Sequence, residues 1–257
     1  MVPRPPRSLR HEYELFVEEE IENYKDSVPR HALLSIGDEA VASLRAREQL
    51  ALDELLLCDE VDRIISKRLR IPAYETWRKR RMKDLEAMRR PERWGLSADD
   101  PLVRAAKPKE PGRVLVAGAP DSAAPLYLAA NGHRVTTLAQ EAGEVARVLS
   151  DAEAAGIAER VDGQVIDLRE WTPRATYGLV VLTPQAMAGL SSAECDDVIS
   201  ALQSATVAGG LHVVEFQASG RSAEAVEELR ARYAGWEISN AGTPGAPGSF
   251  VAKKGAA

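Results

Sequence analysis

Apolar positions in the first ninety residues recur at three- and four-residue steps, the period of helices that bury one face. From His11 to Asp26, Tyr13, Phe16, Val17, Ile21 and Tyr24 fall on one side and a run of glutamates on the other, which predicts an acidic helix. Ser35, followed by Asp38 and Glu39, reads as an N-cap. It opens a long helical stretch through Leu44, Leu52, Leu55, Leu56, Val61, Ile64, Ile65 and Leu69, in which the polar segment Arg45 to Gln49 marks a bend or break. Pro72 interrupts the pattern, and Ala73 to Arg90 forms another helix with Tyr74, Trp77, Leu85 and Met88 on a common side, ended by Pro91.

From Glu92 to Gly112 the periodicity disappears and Pro91, Pro101, Pro108 and Pro111 gather, the composition of a linker. This divides the chain into a helical region, 1–92, a linker, 93–111, and a second domain, 112–257. There the pattern becomes strands alternating with helices. Arg113 to Gly118 is a short apolar run suited to a buried parallel strand, followed by a small-residue helix, Ala123 to Asn131. A strand at Arg134 to Leu138, a helix at Glu141 to Ala155 and a strand at Val161 to Ile166 come next. Tyr177 to Leu182 is strand four, Ser191 to Thr206 a helix, Leu211 to Phe216 strand five after the turn Gly209-Gly210, and Ser222 to Tyr233 a helix. Strict alternation implies parallel strands with helices on both faces, because a right-handed crossover needs the helix to cover the sheet. No repeat of 20 to 50 residues is visible, so a solenoid is not indicated.

Composition narrows the chemistry. At 257 residues and 45% hydrophobic, the chain carries a sizeable core. No run approaches the roughly 18 apolar residues of a membrane span, and Met1 to Arg7 lacks a signal-like apolar core, so a soluble cytoplasmic protein is expected. Cys58 and Cys195 stand apart, outside any metal or redox spacing, and read as buried thiols. The four histidines, His11, His31, His133 and His212, are scattered, and His133, in the turn before strand two, and His212, within strand five, read as structural. The net charge of −6 lies entirely in the second half: residues 1–110 carry 22 basic and 22 acidic side chains, residues 111–257 carry 11 and 17. Glu18 to Glu20 reads as a solvated helix face, since no histidine or aspartate joins it at ligand spacing.

Val114-Leu115-Val116-Ala117-Gly118-Ala119-Pro120, with Leu126 to Thr136, resembles the first strand, loop, helix and second strand of class I S-adenosylmethionine-dependent methyltransferases. Tyr177 to Leu182 resembles that family's fourth strand, and Val207 to Val214 its turn into strand five. The resemblance implies a Rossmann-like α/β fold with a mostly parallel seven-stranded sheet, preceded here by an all-helical N-terminal region. Trp236 to Asn240 and Ser249 to Ala252 would be the last two strands, a hairpin placing one antiparallel strand inside the sheet.

The same resemblance assigns cofactor positions to Gly118, Ala119, Pro120, Ala139, Glu141, Asp167, Leu168 and Thr183. The family's first loop reads D-x-G-x-G-x-G, glycines that let the backbone approach the cofactor. Here the matching positions are Val116, Gly118, Pro120 and Ser122, so only the first glycine survives. The acidic residue that holds the ribose hydroxyls falls at Ala139, with Glu141 two residues later, and the strand-four aspartate is replaced by Gly178. Asp167 matches the position that contacts the adenine amino group. Loss of one charge-assisted ribose contact costs about 1.5–3 kcal/mol, roughly ten- to a hundredfold in affinity. Two functions follow from the resemblance: a methyltransferase-like scaffold without catalysis, whose N-terminal helices dock a protein partner, or an active S-adenosylmethionine-dependent methyltransferase.

Asp62 to Arg81 also resembles a helix-turn-helix, with Arg70 where such motifs favour glycine, and Lys67 to Arg93 holds 11 basic and 4 acidic residues. That implies nucleic acid as a further partner. The competing reading packs Trp77, Leu85 and Met88 into a helical core and leaves the basic groups solvated or paired with the acidic helix.

Overall fold

The computed structural model describes residues 8–46, 54–106, 111–118, 121–216, 223–240 and 248–255. The chain forms two compact units, Met1–Asp84 and Leu85–Ala257. The first is helical. Helix α1 (Leu9–Ser27) starts at Ser8, whose Oγ accepts from the His11 N–H. Helix α2 spans Arg30–Ala46 and α3 Glu54–Leu69. The start of α2 corrects the N-cap expected at Ser35. The carbonyl of Pro29 already receives the Ala32 N–H at 2.9 Å, so the helix is under way before Ser35. The break expected at Arg45 to Gln49 lies mostly outside the described residues.

Ile21, Ile36, Ala40, Ile64 and Ile65 form this unit's core. The turn after α3 closes with Arg70 in the left-handed region, φ 55°, and the Ile71 N–H reaching back to the Ser66 carbonyl at 3.0 Å. This is the Schellman geometry that usually employs glycine. Helix α4 (Tyr74–Met88) follows and crosses the boundary between the units. Its Tyr74 and Trp77 meet Tyr13 of α1 at ring-centroid distances of 5.4 and 5.5 Å, and the Tyr13 hydroxyl donates to the Pro72 carbonyl.

The second unit begins earlier than the sequence suggested. The stretch read as a linker contains a 3-10 turn, Pro91–Trp94, and helix α5 (Pro101–Ala106). Leu102, Val103 and Ala106 of α5 are buried in the sheet's hydrophobic core. A six-residue helix is too short to show periodicity, and its prolines mimic a linker. Asp100 caps it, accepting the Leu102 N–H at 2.8 Å.

Strands β1 (Arg113–Ala117), β2 (Arg134–Ala139), β3 (Val161–Val165), β4 (Tyr177–Leu182), β5 (Thr206–Phe216), β6 (Glu237–Asn240) and β7 (Gly248–Lys253) form one sheet of order β3-β2-β1-β4-β5-β7-β6. The first five are parallel and β7 runs antiparallel between β5 and β6. Helices α6 (Ala123–Ala130), α7 (Ala142–Ala154), α8 (Ser192–Ser204) and α9 (Ala223–Ala231) complete the alternation. One apolar cluster, with Val114, Val116, Val181 and Val213, packs on α5, α6 and α7; the other, with Leu115, Val180, Leu182 and Val214, packs on α8 and α9. Strand β5 starts five residues before the expected Leu211. Thr206 pairs with Tyr177 and Leu211 with Leu179, so the Gly209-Gly210 turn is an irregularity inside the strand. Gly209 has φ +73°, and a Cβ on Gly210 would meet Thr206 Cγ2 at 2.6 Å.

Candidate functional site

In an open parallel sheet, ligands bind beyond the carboxyl ends of the strands, where the order reverses. Here that place is the ends of β1 and β4 and the segments after β2 and β3. Gly118, Ala139, Asp167, Leu168 and Thr183 all gather along this edge, and Glu141 stands at the start of α7. Ala119 and Pro120 lie outside the described residues. Gly178 does not belong to the edge. It is the second residue of β4, beside Arg113 at the opposite end of the sheet, so an aspartate missing there removes nothing from a cofactor position.

Thr183, Ser122 and Asp167 are engaged within the chain. The Thr183 hydroxyl donates to the Gly118 carbonyl at 2.7 Å, and the Thr183 N–H to the Ala117 carbonyl at 3.1 Å. A Cβ on Gly118 (φ +71°) would lie 2.6 Å from both Thr183 Oγ1 and the Ala186 nitrogen. Ser122, at the family's third glycine, donates to Asp151 at 2.5 Å. Ala139 is 3% exposed. Glu141 is exposed and makes no side-chain cap for α7. Asp167 receives the Arg169 guanidinium, Nε at 3.0 Å from both oxygens, and the Arg169 backbone N–H at 3.0 Å. These bonds hold its carboxyl at about 2. Arg169 continues to Glu194 of α8 at 3.2 Å, and Leu168 is buried in the core on the same face. The aspartate is thus held toward α8.

One group at this edge escaped the sequence reading. Glu215, near the end of β5, is turned to the Val213 face by strand alternation. Burial first, then Asp100 and Asp121, push its carboxyl up to about 7. Among the described residues it has no hydrogen-bonding or ionic partner. The signal available was a lone acid in the apolar run Leu211 to Phe216. His133 and His212 behave as structural groups. The Gly112 N–H donates to His133 Nδ1 at 3.3 Å, and burial lowers that ring's affinity for a second proton. His212 is fully buried, between Thr206 Oγ1 at 2.7 Å from Nε2 and the Tyr233 hydroxyl at 3.0 Å from Nδ1. Among the described residues no three potential ligands cluster to hold a metal, and no helix is long and apolar enough to cross a membrane. Cys58 is exposed and Cys195 half-buried, against the expectation of two buried thiols.

A sheet of order 3-2-1-4-5-7-6 with its seventh strand antiparallel, helices on both faces and a strand-loop-helix opening at Gly118 defines the class I methyltransferase fold. Within that class, the family model described as tellurite resistance protein TehB matches residues 96–240, more than half of the sequence, and the chain belongs to this family of S-adenosylmethionine-dependent methyltransferases. No curated protein matches it. Among solved structures it is similar to TehB from Haemophilus influenzae, at 20% identity over 60% of this chain and 61% of that one, with a TM-score of 0.48. It thus spans under two thirds of that relative. It is also similar to a SAM-dependent methyltransferase from Methanosarcina mazei (13% identity, 61% of this chain, 98% of that one, TM-score 0.48). A third is the magnesium protoporphyrin IX methyltransferase of Synechocystis, solved with bound SAM (16%, 60% and 74%, TM-score 0.46). The helix-turn-helix resemblance at residues 62–81 falls outside the family match. There Trp77 packs on Phe16 and Tyr13, as the competing reading expected, but Met88, which that reading placed in the same helical core, packs on the sheet's cluster; Arg78, Lys79 and Arg80 are exposed.

Proposed function

We propose that this chain is a non-catalytic member of its family, a methyltransferase fold used as a platform, with the N-terminal helices docking a protein partner. The observation that carries the reading is the end of β2. S-adenosylmethionine presents a ribose diol, which a carboxylate receives best because a charged acceptor roughly doubles the strength of the bond. The residue at that position is Ala139, a buried methyl group, while Glu141 points to solvent. The rest of the donor set fits the cofactor no better. Asp167 is neutralised by Arg169, Ser122 is bonded to Asp151, and Thr183 is spent on the Gly118 carbonyl. A ligand would have to break these bonds before making its own.

Titration calorimetry with S-adenosylmethionine and S-adenosylhomocysteine at millimolar concentration is expected to give no binding heat. A measurable affinity, followed by transfer of a labelled methyl group, would overturn the proposal. Glu215 favours the second reading, an active methyltransferase. A carboxyl titrating near neutrality is matched to general-base work on an acceptor carrying a proton, such as an amine or hydroxyl. The same titration separates the two.

A further inference from the structure

A groove of about 660 Å³ runs between α1 and α3 in the helical unit. Its apolar lining is Tyr13, Val17 and Ile21. Carboxylates rise along both sides: Glu14, Glu18 and Glu22 from α1, Asp59 and Asp62 from α3, against the single cation Arg63 in the lining. Glu22 and Asp62 share Lys25, and Glu14 meets Arg10. Glu18 and Asp59 have no partner among the described residues. The site therefore suits a helix with an apolar residue at its centre and cations beside it.

The chain carries such a helix. On α4, Tyr74 and Trp77 meet α1 and Arg81 pairs with Glu12, which leaves the opposite side outward. There Lys79 and Lys83 are exposed and without an ionic partner among the described residues, and Met82 beside them is 41% exposed. Lys79 and Lys83 are four residues apart, as are Glu14, Glu18 and Glu22. Both rows repeat at about 6 Å, the rise of four helical residues. Two cations thus match the spacing of the acidic row, with Glu75 and Glu86 at the ends of the same face, and Met82 has the flexible, unbranched shape that fills an irregular apolar floor.

We infer that the partner docked by the helical unit is a second copy of this chain, with the Lys79–Lys83 face of α4 seated in the α1–α3 groove of the other copy. The inference rests on the docking half of the proposed function and is independent of whether cofactor binds.

Sedimentation equilibrium of the full chain tests it. A concentration-dependent dimer is expected at about 0.05 M salt, weakened at least about tenfold at about 0.5 M, since the facing charges remain within reach of solvent ions. Glu18→Lys with Asp59→Lys is expected to give a monomer, as is Lys79→Glu with Lys83→Glu. Mixing the two double variants restores association as a heterodimer. Circular dichroism with unchanged helicity keeps a folding defect from imitating the result. A chain that is monomeric at every concentration, or a dimer that neither reversal weakens, overturns the inference. Neither result bears on the calorimetric test, so the two proposals fail separately.

Discussion

His212 and Glu215 lie three residues apart on β5 and pull the stability of the sheet in opposite directions with pH. The tautomer of His212 follows from its neighbours. Thr206 Oγ1 donates to the Leu202 carbonyl at 2.8 Å, so it accepts from the Nε2–H, and Nδ1 accepts from Tyr233. Burial, and after it the Lys254 ammonium, lower this histidine from 6.5 to about 3. As pH falls below 6.5 the unfolded chain takes up a proton that the folded ring refuses, so stability is lost toward acid. Glu215 has the reverse sign. Its folded value near 7 exceeds the ordinary 4.5, so the folded state keeps a proton that the unfolded state releases, and stability is lost as pH rises through that window. Between about 4.5 and 6.5 the two slopes, each at most about 1.4 kcal/mol per pH unit, largely cancel. His133, also lowered from 6.5 by burial, adds to the loss toward acid. Relative to the wild type, the slope of urea midpoints against pH across this range is expected to turn downward in His212→Gln and upward in Glu215→Gln. Equal slopes in the two variants would contradict the assignment. Gly118→Ala, which combines a left-handed φ with a clash against backbone, is expected to cost about 2–4 kcal/mol by the same measurement.

At the scale of elements, α5 decides where the second unit begins. A fragment starting at Leu85 keeps Leu102, Val103 and Ala106 against the sheet and is expected to melt cooperatively. One starting at Pro111 exposes their partners and is expected to lose about 3 kcal/mol or more, seen as a lower and broader thermal transition. The long elements were legible because each carries its own period. Strand four was read with its observed ends, and α1, α6 and α7 within two residues at each end. What the pattern missed was short or irregular. Helix α5 spans under two turns, α2 begins directly after a proline rather than at a capping serine, and β5 contains a turn that hid its first residues. Local propensity carries too few residues in such places to outweigh a proline or a glycine pair.

For the molecule as a whole, strand order and family were readable, because alternating units leave few topologies. The chemical state of the edge was less so. The substitutions at Ala139 and Ser122 stand in the sequence. That Asp167 spends its charge on Arg169 depends on the turn after β3, and that Glu215 holds its proton more tightly depends first on burial and then on Asp100, more than a hundred residues earlier. The charge asymmetry has a counterpart in the helical unit. The balanced total of residues 1–110 conceals an acidic groove and a basic helix, and the salt dependence of self-association is where that separation would be felt.

Gly118, the one glycine that matches the family's loop pattern, carries a warning for recognition by motif. Gly118 could not tolerate a side chain even if no small molecule had ever approached it, because Thr183 and Ala186 close on the space a Cβ would need. Close packing of the end of β1 on the turn after β4 is reason enough for a glycine there. A pattern score that credits this residue to ligand chemistry is counting masonry, and proteins that share only that packing will be gathered with those that still use the doorway.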